Sequence, residues 1–134
     1  MPHVVLQYTA NLEPMVDMSA FCKEIAKMLV AQQDDSGKPL YPTGGTRVLA
    51  YPSQNYAVAD TNDDYGFCYI NVRIAPGRSD AAKKTTGDAL LKLAQARFTD
   101  AFKQAHVGVT IQIDESPGQV YDAKHSNLHP LFNK

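Results

Sequence analysis

The order of apolar segments repeats once along the chain, and this repeat restricts the fold more than any other feature of the sequence. Short β-branched and apolar runs predict strands, and a longer segment with helical spacing separates each pair of them. Strand, helix, strand therefore occurs twice, with a period of about 60 residues. The first unit uses residues 3–9, 18–29 and 46–51, and the second uses 67–75, 79–102 and 107–114.

Each predicted helix begins at a residue that can cap it and carries its apolar side chains on one side. Asp17 or Ser19 can cap the first helix, and Ser79 can cap the second, whose first turn holds Asp80. Both helices are therefore predicted to pack one side against a sheet. The apolar positions are Met18, Phe21, Cys22, Ile25, Met28 and Leu29 in the first helix, and Leu90, Leu91, Leu93, Ala94, Phe98, Ala101 and Phe102 in the second.

A strand, a crossover helix and a second strand place the two strands parallel, so two such units predict two parallel pairs in one sheet. The predicted fold class is α+β, a duplicated β-α-β unit with a four-stranded mixed sheet and two helices on one face. We predict a single domain over 1–134, with repeats at about 1–61 and 65–118 and a C-terminal segment at 119–134. A short apolar piece at 56–59 is expected to fold back beside the second strand.

The face of the sheet away from the helices would stay uncovered in a single chain. The first strand carries Val4, Leu6 and Tyr8 on one side. Val5 and Gln7 lie on the other side, so apolar groups occur on both faces. Because large exposed apolar areas usually mark an interface, the pattern predicts an obligate oligomer.

The charge and the few cysteines exclude several classes of protein. A formal net charge of -1 without a basic run argues against nucleic acid as the main partner. Cys22 and Cys68 each lie in an apolar stretch, which predicts two buried thiols in a reducing compartment. The start of the chain lacks the pattern of a signal peptide, and no apolar run approaches the roughly 20 residues of a membrane span. We therefore expect a soluble cytoplasmic protein that binds neither nucleic acid nor membrane.

Pro2 becomes the amino terminus if Met1 is removed, and its nitrogen is then a secondary amine on a fixed ring. An α-amino group titrates at about 7.7–8.0, and partial burial beside a cation would lower its pKa toward the value that a general base needs. Proline is also ordinary at the start of a strand, and with Met1 retained its nitrogen is an amide that cannot act as a base. Because a predicted strand begins directly after it, Pro2 is a candidate base held at the end of the sheet.

Two arginines, Arg47 and Arg78, lie at predicted element boundaries, where sites form on a rigid scaffold. Arg47 follows a Gly-Gly-Thr run at the start of a strand, and Arg78 follows Pro-Gly before a capped helix. The planar fork of arginine matches a carboxylate and can stabilise a developing oxyanion, although a surface role stays open for each arginine. Arg73 and Arg97 lie inside a strand and a helix, where we expect solvated or ion-paired roles.

The four histidines are His3, His106, His125 and His129. His3 stands beside the candidate amine and could tune it, although a packed strand histidine is an equal interpretation. His125 and His129 are four apart and could share a helical face, but without an acidic partner or a third ligand we expect no metal site. The sequence also lacks a helical Glu–His metal pair, a phosphate-binding loop and a nucleophile elbow.

Short segments spread over the chain carry a family resemblance. They are MPH at the start, YTANL at 8–12, PTGGTR ending at Arg47, YAVAD at 56–60, IAPGRS at 74–79 and NLHPLF at 127–132. Each segment alone is weak evidence. In this order and at near-family spacing, they make the chain resemble the 5-carboxymethyl-2-hydroxymuconate Δ-isomerase family of the tautomerase superfamily over essentially its whole length.

The resemblance implies a tautomerase-like homotrimer and an isomerase that uses no cofactor. Its substrate would be a small dicarboxylate or tricarboxylate dienol, converted to a conjugated ketone by a proton shift during 4-hydroxyphenylacetate (homoprotocatechuate) breakdown. The family's terminal proline falls on Pro2 as proton carrier, and its two functional arginines fall on Arg47 and Arg78. The resemblance thus implies Pro2, Arg47 and Arg78 as catalytic residues. Arg47 and Arg78 would also bind the substrate, and we add His3 to that binding set.

The chain departs from the family pattern at two places. The loop at 31–39 is longer than the family norm and leads to Arg47, and Gln7 stands where an acidic side chain is expected near the terminal amine. The function therefore stays open between a 2-hydroxydienoate isomerase and a tautomerase, hydratase or dehalogenase for another unsaturated acid. A non-catalytic trimeric binding protein is the alternative of a different class, since a shared fold does not by itself carry the activity.

Overall fold

Two β-α-β units follow each other along the chain in the computed structural model, which describes residues 1–132. The first consists of β1 (His3–Thr9), α1 (Met18–Ala31) and β2 (Arg47–Ser53). The second consists of β3 (Gly66–Ile74), α2 (Asp80–Arg97), α3 (Thr99–Gln104) and β4 (Val107–Glu115). Short 3-10 turns cover Ala10–Leu12, Thr43–Gly45 and His129–Leu131. Asn133 and Lys134, the end of the predicted C-terminal segment, lie outside the described residues.

The four strands form one mixed sheet in the order β2-β1-β3-β4, which confirms the predicted fold class. β1 runs parallel to β2 with His3 opposite Arg47, and β3 runs parallel to β4 with Ile74 opposite Glu115. The central pair, β1 and β3, is antiparallel, with His3 opposite Arg73. Because of these directions, β1 and β2 begin at the same edge of the sheet at which β3 and β4 end. We call this edge, marked by His3, Arg47, Ile74 and Glu115, the amino-terminal edge.

The core lies between one face of the sheet and the helices α1 and α2. α1 packs against β2 and α2 against β4, and the two helices contact each other, so both cover the same face as predicted. Phe21 of α1 and Phe98 after α2 meet edge to face, with ring centroids 5.8 Å apart. The buried strand side chains on this face are Val4, Leu6, Tyr8, Cys68, Ile70, Val72 and Ile74.

The caps of the two long helices lie where the sequence predicts them. The Asp17 carboxylate accepts a hydrogen bond from the Ala20 N–H at 3.0 Å, so Asp17 and not Ser19 caps α1. The Ser79 hydroxyl accepts from the Ala82 N–H at 3.1 Å and caps α2. Each bond satisfies a backbone donor that has no partner inside its helix, and this fixes where the helix begins.

The second predicted helix is divided in two at Phe98, which corrects the expectation of one continuous helix. Phe98 has φ −95° and ψ 6°, so α2 ends before it and α3 begins at Thr99. The Thr99 hydroxyl donates to two carbonyls in the last turn of α2, which supports the bend. Phe98 stays buried, whereas Leu91 and Phe102, also predicted for the apolar side, are exposed.

The piece at 56–59 does not pair beside β2, contrary to the expectation. It belongs to a loop of bends and turns between β2 and β3. Ala59 and Thr61 have positive φ values of 54° and 62°, which interrupt an extended backbone. The Tyr56 hydroxyl donates to the Asp64 carboxylate at 3.1 Å. Local turn geometry and this side-chain bond therefore hold the segment as a loop.

The sheet face away from the helices is open in the single chain, as the alternation in β1 predicts. Leu49 and Tyr51 of β2 are 40% and 52% exposed on this face. Val5 is half-buried and Gln7 is exposed beside them. Phe67 and Tyr69 of β3 continue the face, so an apolar surface runs across three strands. The chain thus leaves a broad apolar area without a partner element.

The two cysteines are free thiols in different surroundings. Cys68 is buried, and burial raises the pKa of its thiol to about 12. Cys22 is only half-buried, so the prediction of two buried thiols is wrong for this residue. No helix within residues 1–132 is long and apolar enough to cross a membrane.

Candidate active site

The amino-terminal edge brings Pro2, Arg47 and Arg78 close to one cavity. Pro2 directly precedes β1, Arg47 is the first residue of the neighbouring strand β2, and Arg78 follows shortly after the end of β3. The Arg47 N–H donates to the Pro2 carbonyl at 3.2 Å and ties the two strand starts together. Met1, Arg47 and Arg78 line a cavity of about 650 Å³, and Pro2 is buried next to Met1. The sheet directions alone explain why residues distant in sequence meet here.

Arg78 is held in place by three contacts before any ligand binds. Its Nε donates to the Leu40 carbonyl at 3.1 Å, and its Nη1 donates to the Ala75 carbonyl at 3.0 Å. The guanidinium carbon lies 4.7 Å from the ring centroid of Tyr41, within cation–π distance. Tyr41 is buried, and its hydroxyl lies 2.7 Å from the Thr86 hydroxyl. Arg78 is therefore a preorganised cation whose Nη2 makes no hydrogen bond within residues 1–132.

Arg47 is oriented by His3, its neighbour across the β1–β2 pair. The Arg47 Nε donates to His3 Nδ1 at 3.0 Å, which requires that nitrogen to be unprotonated. Burial, then the charge of Arg47 and then that of the amino terminus lower the pKa of His3. His3 is therefore kept as the neutral acceptor that fixes the Arg47 fork.

The amino group of Met1 lies in a positive environment. Burial lowers its pKa from the ordinary value of 8.0, and the charges of Arg47, Lys124 and Arg78 lower it further. Asp122 opposes them. The protonated form of an amino group at the start of β1 is thus disfavoured. An amine that acts as a base must be unprotonated, so this environment suits one.

The C-terminal segment completes the cavity, a role that its sequence did not predict. The 3-10 turn His129–Leu131 packs against the turn Thr43–Gly45, and a Cβ on Gly44 would lie 3.0 Å from the His129 Cα. The NLHPLF segment at 127–132 belongs to the family resemblance. The cavity residues that precede it carry no sequence pattern that predicts their position. The lining residues that it supplies are Gln119, Asp122, Ala123, Lys124, His125, Ser126 and His129.

His125 and His129 both line the cavity but do not share a helical face. His125 lies in irregular chain, and His129 begins the 3-10 turn with its Nδ1 2.9 Å from the Ser126 hydroxyl. Within residues 1–132, no group of three or more His, Cys, Asp or Glu side chains is placed to hold a metal ion. These histidines are therefore polar wall residues of the cavity.

The two other arginines lie away from the cavity. Arg97 of α2 pairs with Glu24 of α1, which is one of the two roles expected for it. Arg73 of β3 is exposed on the open face, opposite His3 and Asp114 in the sheet. Arg47 and Arg78 thus differ from both in lining the amino-terminal cavity.

The long loop at 31–39 borders Arg78 and not Arg47. A bridge between Gln33 and Pro39 closes it, and the Asp34 carboxylate accepts from the Ser36 and Lys38 N–H groups. The residue that follows, Leu40, supplies the carbonyl that receives Arg78. The loop is therefore connected to the site through the position of one guanidinium.

Gln7 lies at the other end of β1 from the terminal amine, so within one chain it does not set the charge there. It lines a second cavity, of about 790 Å³, at the opposite edge of the sheet. Tyr56, Tyr65, Tyr69 and His106 also line this cavity, and its described lining contains no lysine or arginine. The cations that could hold an acid are thus at the amino-terminal edge.

The contact between His3 and Arg47 predicts a pH dependence. We expect His3 to titrate below its ordinary value of 6.5, because its pKa is lowered by burial and by Arg47. Unfolded His3 binds its proton more readily, so the free energy of unfolding should fall as the pH drops below 6.5 toward the folded pKa. An NMR titration of the imidazole measures this midpoint. Arg47→Ala should raise it, and a midpoint at or above 6.5 in the unchanged chain would contradict the contact.

Comparison with known proteins places the chain among isomerases. A sequence model of the 5-carboxymethyl-2-hydroxymuconate isomerase family matches residues 2–132. A solved 5-carboxymethyl-2-hydroxymuconate delta-isomerase is 43% identical, with a TM-score of 0.93 over 100% of this chain and 94% of that one. A 5-carboxymethyl-2-hydroxymuconate isomerase from Deinococcus radiodurans R1 is 30% identical, with a TM-score of 0.86 over 99% of this chain and 95% of that one. The 5-carboxymethyl-2-hydroxymuconate Delta-isomerase of Escherichia coli is 22% identical over 132 residues, 98% of this chain and 99% of that protein.

A more distant solved structure shares the fold. A fused 4-OT symmetric trimer is 18% identical, with a TM-score of 0.58 over 85% of this chain and 86% of that one. At this identity the likeness concerns the fold alone. The matches of high coverage, by contrast, extend over both β-α-β units and the C-terminal turn. The chain therefore belongs to the 5-carboxymethyl-2-hydroxymuconate isomerase family and is an isomerase of the tautomerase type.

Proposed function

We propose that the protein shifts a proton in a 2-hydroxydienoate such as 5-carboxymethyl-2-hydroxymuconate, with the amine of Pro2 as the base. The observation that carries the proposal is the meeting of the amino terminus with Arg47 and Arg78 at one cavity. An acid dienol needs cations for its carboxylates and a base for its hydroxyl proton. The amino-terminal edge offers both kinds of group.

Removal of Met1 would create the base. The Pro2 nitrogen would change from an amide to a secondary amine, one residue closer to β1 than the amine of Met1. Pro2 is buried and its carbonyl accepts from Arg47, so the new amine would meet the same burial and positive charge that lower the pKa of the Met1 amine. A lowered pKa leaves more of the amine neutral near pH 7. Loss of Met1 would also free space in the cavity that this residue lines.

The reaction is a balanced internal proton transfer. Pro2 takes the proton of the 2-hydroxyl group, C2–O becomes a carbonyl, and the electrons of the diene shift from C2 toward C5 of the substrate. C5 then receives a proton from the amine, and the double bonds C2=C3 and C4=C5 are replaced by one at C3=C4. One O–H bond breaks and one C–H bond forms. No electron or group donor is needed, so the proposed chemistry requires no cofactor.

The arginines would bind and polarise the substrate. Arg78 is fixed by two backbone carbonyls and the Tyr41 ring, so it can meet a carboxylate without a further loss of side-chain freedom. Arg47 is fixed by His3 and would lie beside the amine of Pro2. We assign Arg47 and Arg78 to the carboxylates and the 2-oxygen. His3 takes part in binding through the Arg47 fork that it orients.

We also propose that the protein is a homotrimer. The open sheet face exposes Leu49 and Tyr51 beside half-buried Val5, an area that association would remove from water. The fused 4-OT structure that shares the fold is a symmetric trimer. Sedimentation equilibrium tests the proposal: a mass of three chains supports it, and a monomer at micromolar concentration contradicts it.

We place the reaction in the cytoplasm, in the breakdown of aromatic acids such as 4-hydroxyphenylacetate. The support is the class of the proposed substrate, and two free thiols suit a reducing compartment.

The proposal is tested by incubating the processed protein with 5-carboxymethyl-2-hydroxymuconate and following the loss of the dienol absorbance. Intact mass must first show that Met1 is absent. We expect a ketone of unchanged mass, which separates a proton shift from hydration, since hydration adds one water. Inert protein without Met1, or a product that is one water heavier than the dienol, would contradict the proposal.

A further inference from the structure

The C-terminal segment supplies a third cation to the amino-terminal cavity. Lys124 lines it together with Arg47 and Arg78, and the three side chains come from three separate parts of the chain. The positive charge of Lys124 lowers the pKa of the Met1 amino group at the cavity, as do the charges of the two arginines. The cavity is therefore surrounded by three positive charges.

The segment that carries Lys124 is held against the body of the fold. The Ser126 hydroxyl accepts hydrogen bonds from the N–H groups of Leu128 and His129 at 3.0 and 3.2 Å. These two bonds lie at the start of the last 3-10 turn. That turn packs on Gly44, where the close approach of His129 leaves no room for a side chain. Lys124 lies two residues before this anchor, so the backbone that carries its side chain is held beside the cavity.

The two arginines already have partners that limit how many carboxylates they can serve. The Arg78 Nε and Nη1 already donate to the Leu40 and Ala75 carbonyls, and the Arg47 Nε donates to His3. Each guanidinium keeps N–H donors with which it can bind one carboxylate. A third carboxylate in the cavity would lose its hydration without gaining a cation, which is costly unless another positive side chain is present.

We propose that Lys124 binds the third carboxylate of the substrate and is the residue that sets the preference for a tricarboxylate over a dicarboxylate dienol. This inference rests on the proposed function, because 5-carboxymethyl-2-hydroxymuconate carries three carboxylates and the inference names the side chain that binds the third. Three cations then face three carboxylates, and the pairing is one to one.

Asp122 is the resident counterion of Lys124. Its Oδ2 lies 3.0 Å from Lys124 Nζ, and both side chains are 54% exposed, so the pair is screened by water and weak. A substrate carboxylate can take the place of Asp122, since the two groups are chemically alike. Asp122 therefore competes with the third carboxylate and lowers the apparent affinity for it.

The test compares two inert acids that differ by one carboxylate, propane-1,2,3-tricarboxylate and glutarate. Calorimetry gives the Kd of each for the processed protein, for Lys124→Met and for Asp122→Asn. We expect Lys124→Met to reduce the preference for the tricarboxylate about tenfold, the loss of one screened charge-assisted contact. Asp122→Asn should act in the opposite direction and strengthen tricarboxylate binding. Lys124→Arg, which keeps the charge, should keep the preference.

Lys23→Met is the matched control, since Lys23 is an exposed lysine on α1 outside the cavity lining. It should change neither Kd. Lys124→Met that leaves the ratio of the two Kd values unaltered, or an unchanged chain that binds both acids equally or neither, overturns the inference. The dienol assay on the same proteins separates the two proposals. Selective tricarboxylate binding without dienol turnover would refute the isomerase proposal and leave the role of Lys124 in carboxylate binding standing.

Discussion

We expect Pro2→Ala to lower kcat/KM for the dienol by about 100-fold, the lower end of what a positioned general base contributes, because the variant keeps an amine that is no longer held in place. Alanine still permits removal of Met1, so the variant keeps an amine at the terminus. It loses the ring that fixes the nitrogen, and a primary amine at that place can rotate away from the substrate. Because Pro2 is buried between Met1 and β1, a small displacement there changes the distance to the proton that must move. Steady-state kinetics on both proteins measure the effect.

Two controls make the Pro2 result interpretable. Intact mass must show that Met1 is absent from both proteins, and thermal unfolding must show that the variant remains folded. A preparation of the unchanged sequence that retains Met1 should be inactive, because its Pro2 nitrogen is an amide. Full turnover by Pro2→Ala, or by protein with Met1 in place, would contradict the amine base.

Replacing either cavity arginine by alanine should lower kcat/KM by about 100-fold to 1,000-fold, the usual cost of removing one group that stabilises developing charge. Arg47→Ala should act on substrate binding and also raise the pKa of the neighbouring amine, since a positive charge is removed. Arg78→Ala should in addition reduce stability. The Leu40 and Ala75 carbonyls lose their donor, and the Tyr41 ring loses its cation.

Arg97→Ala is the matched control for these two variants. Arg97 pairs with Glu24 between α2 and α1, away from the cavity lining. Its loss should lower the melting temperature modestly and leave kcat/KM within about twofold of the unchanged protein, as for a partly exposed ion pair. If Arg47→Ala and Arg78→Ala behaved like Arg97→Ala, the assignment of the two arginines to the substrate would fail.

The sheet and the main helices could be predicted because their signals are local. Alternation in β1 and β4, helical spacing in α1 and the caps Asp17 and Ser79 each act within a few residues. The break at Phe98 could not be predicted in this way. The helical spacing continues through it, while the structure bends the backbone there and buries the ring of Phe98 against Phe21.

The site residues that lie at the ends of strands could be predicted from the sequence. Arg47 and Arg78 follow turn residues at element boundaries, which marks them as candidates, and the strand directions bring those boundaries to one edge. Lys124 and Asp122 were missed because they lie in irregular chain with no periodic pattern. Their place depends on the packing of His129 against Gly44, a contact between residues distant in sequence.

The antiparallel centre of the sheet limits the number of amine bases. β3 begins at the edge opposite to the start of β1, so the second unit has its own strand start beside the other cavity. The chain enters β3 through Tyr65, however, and a peptide nitrogen in mid-chain is an amide with no basicity to offer. Two β-α-β units joined in one chain share a single α-amine, where two separate chains would carry one each. Under the proposed mechanism, the two joined units therefore have one amine base between them, and the opposite edge with its tyrosines takes no part in the proton transfer.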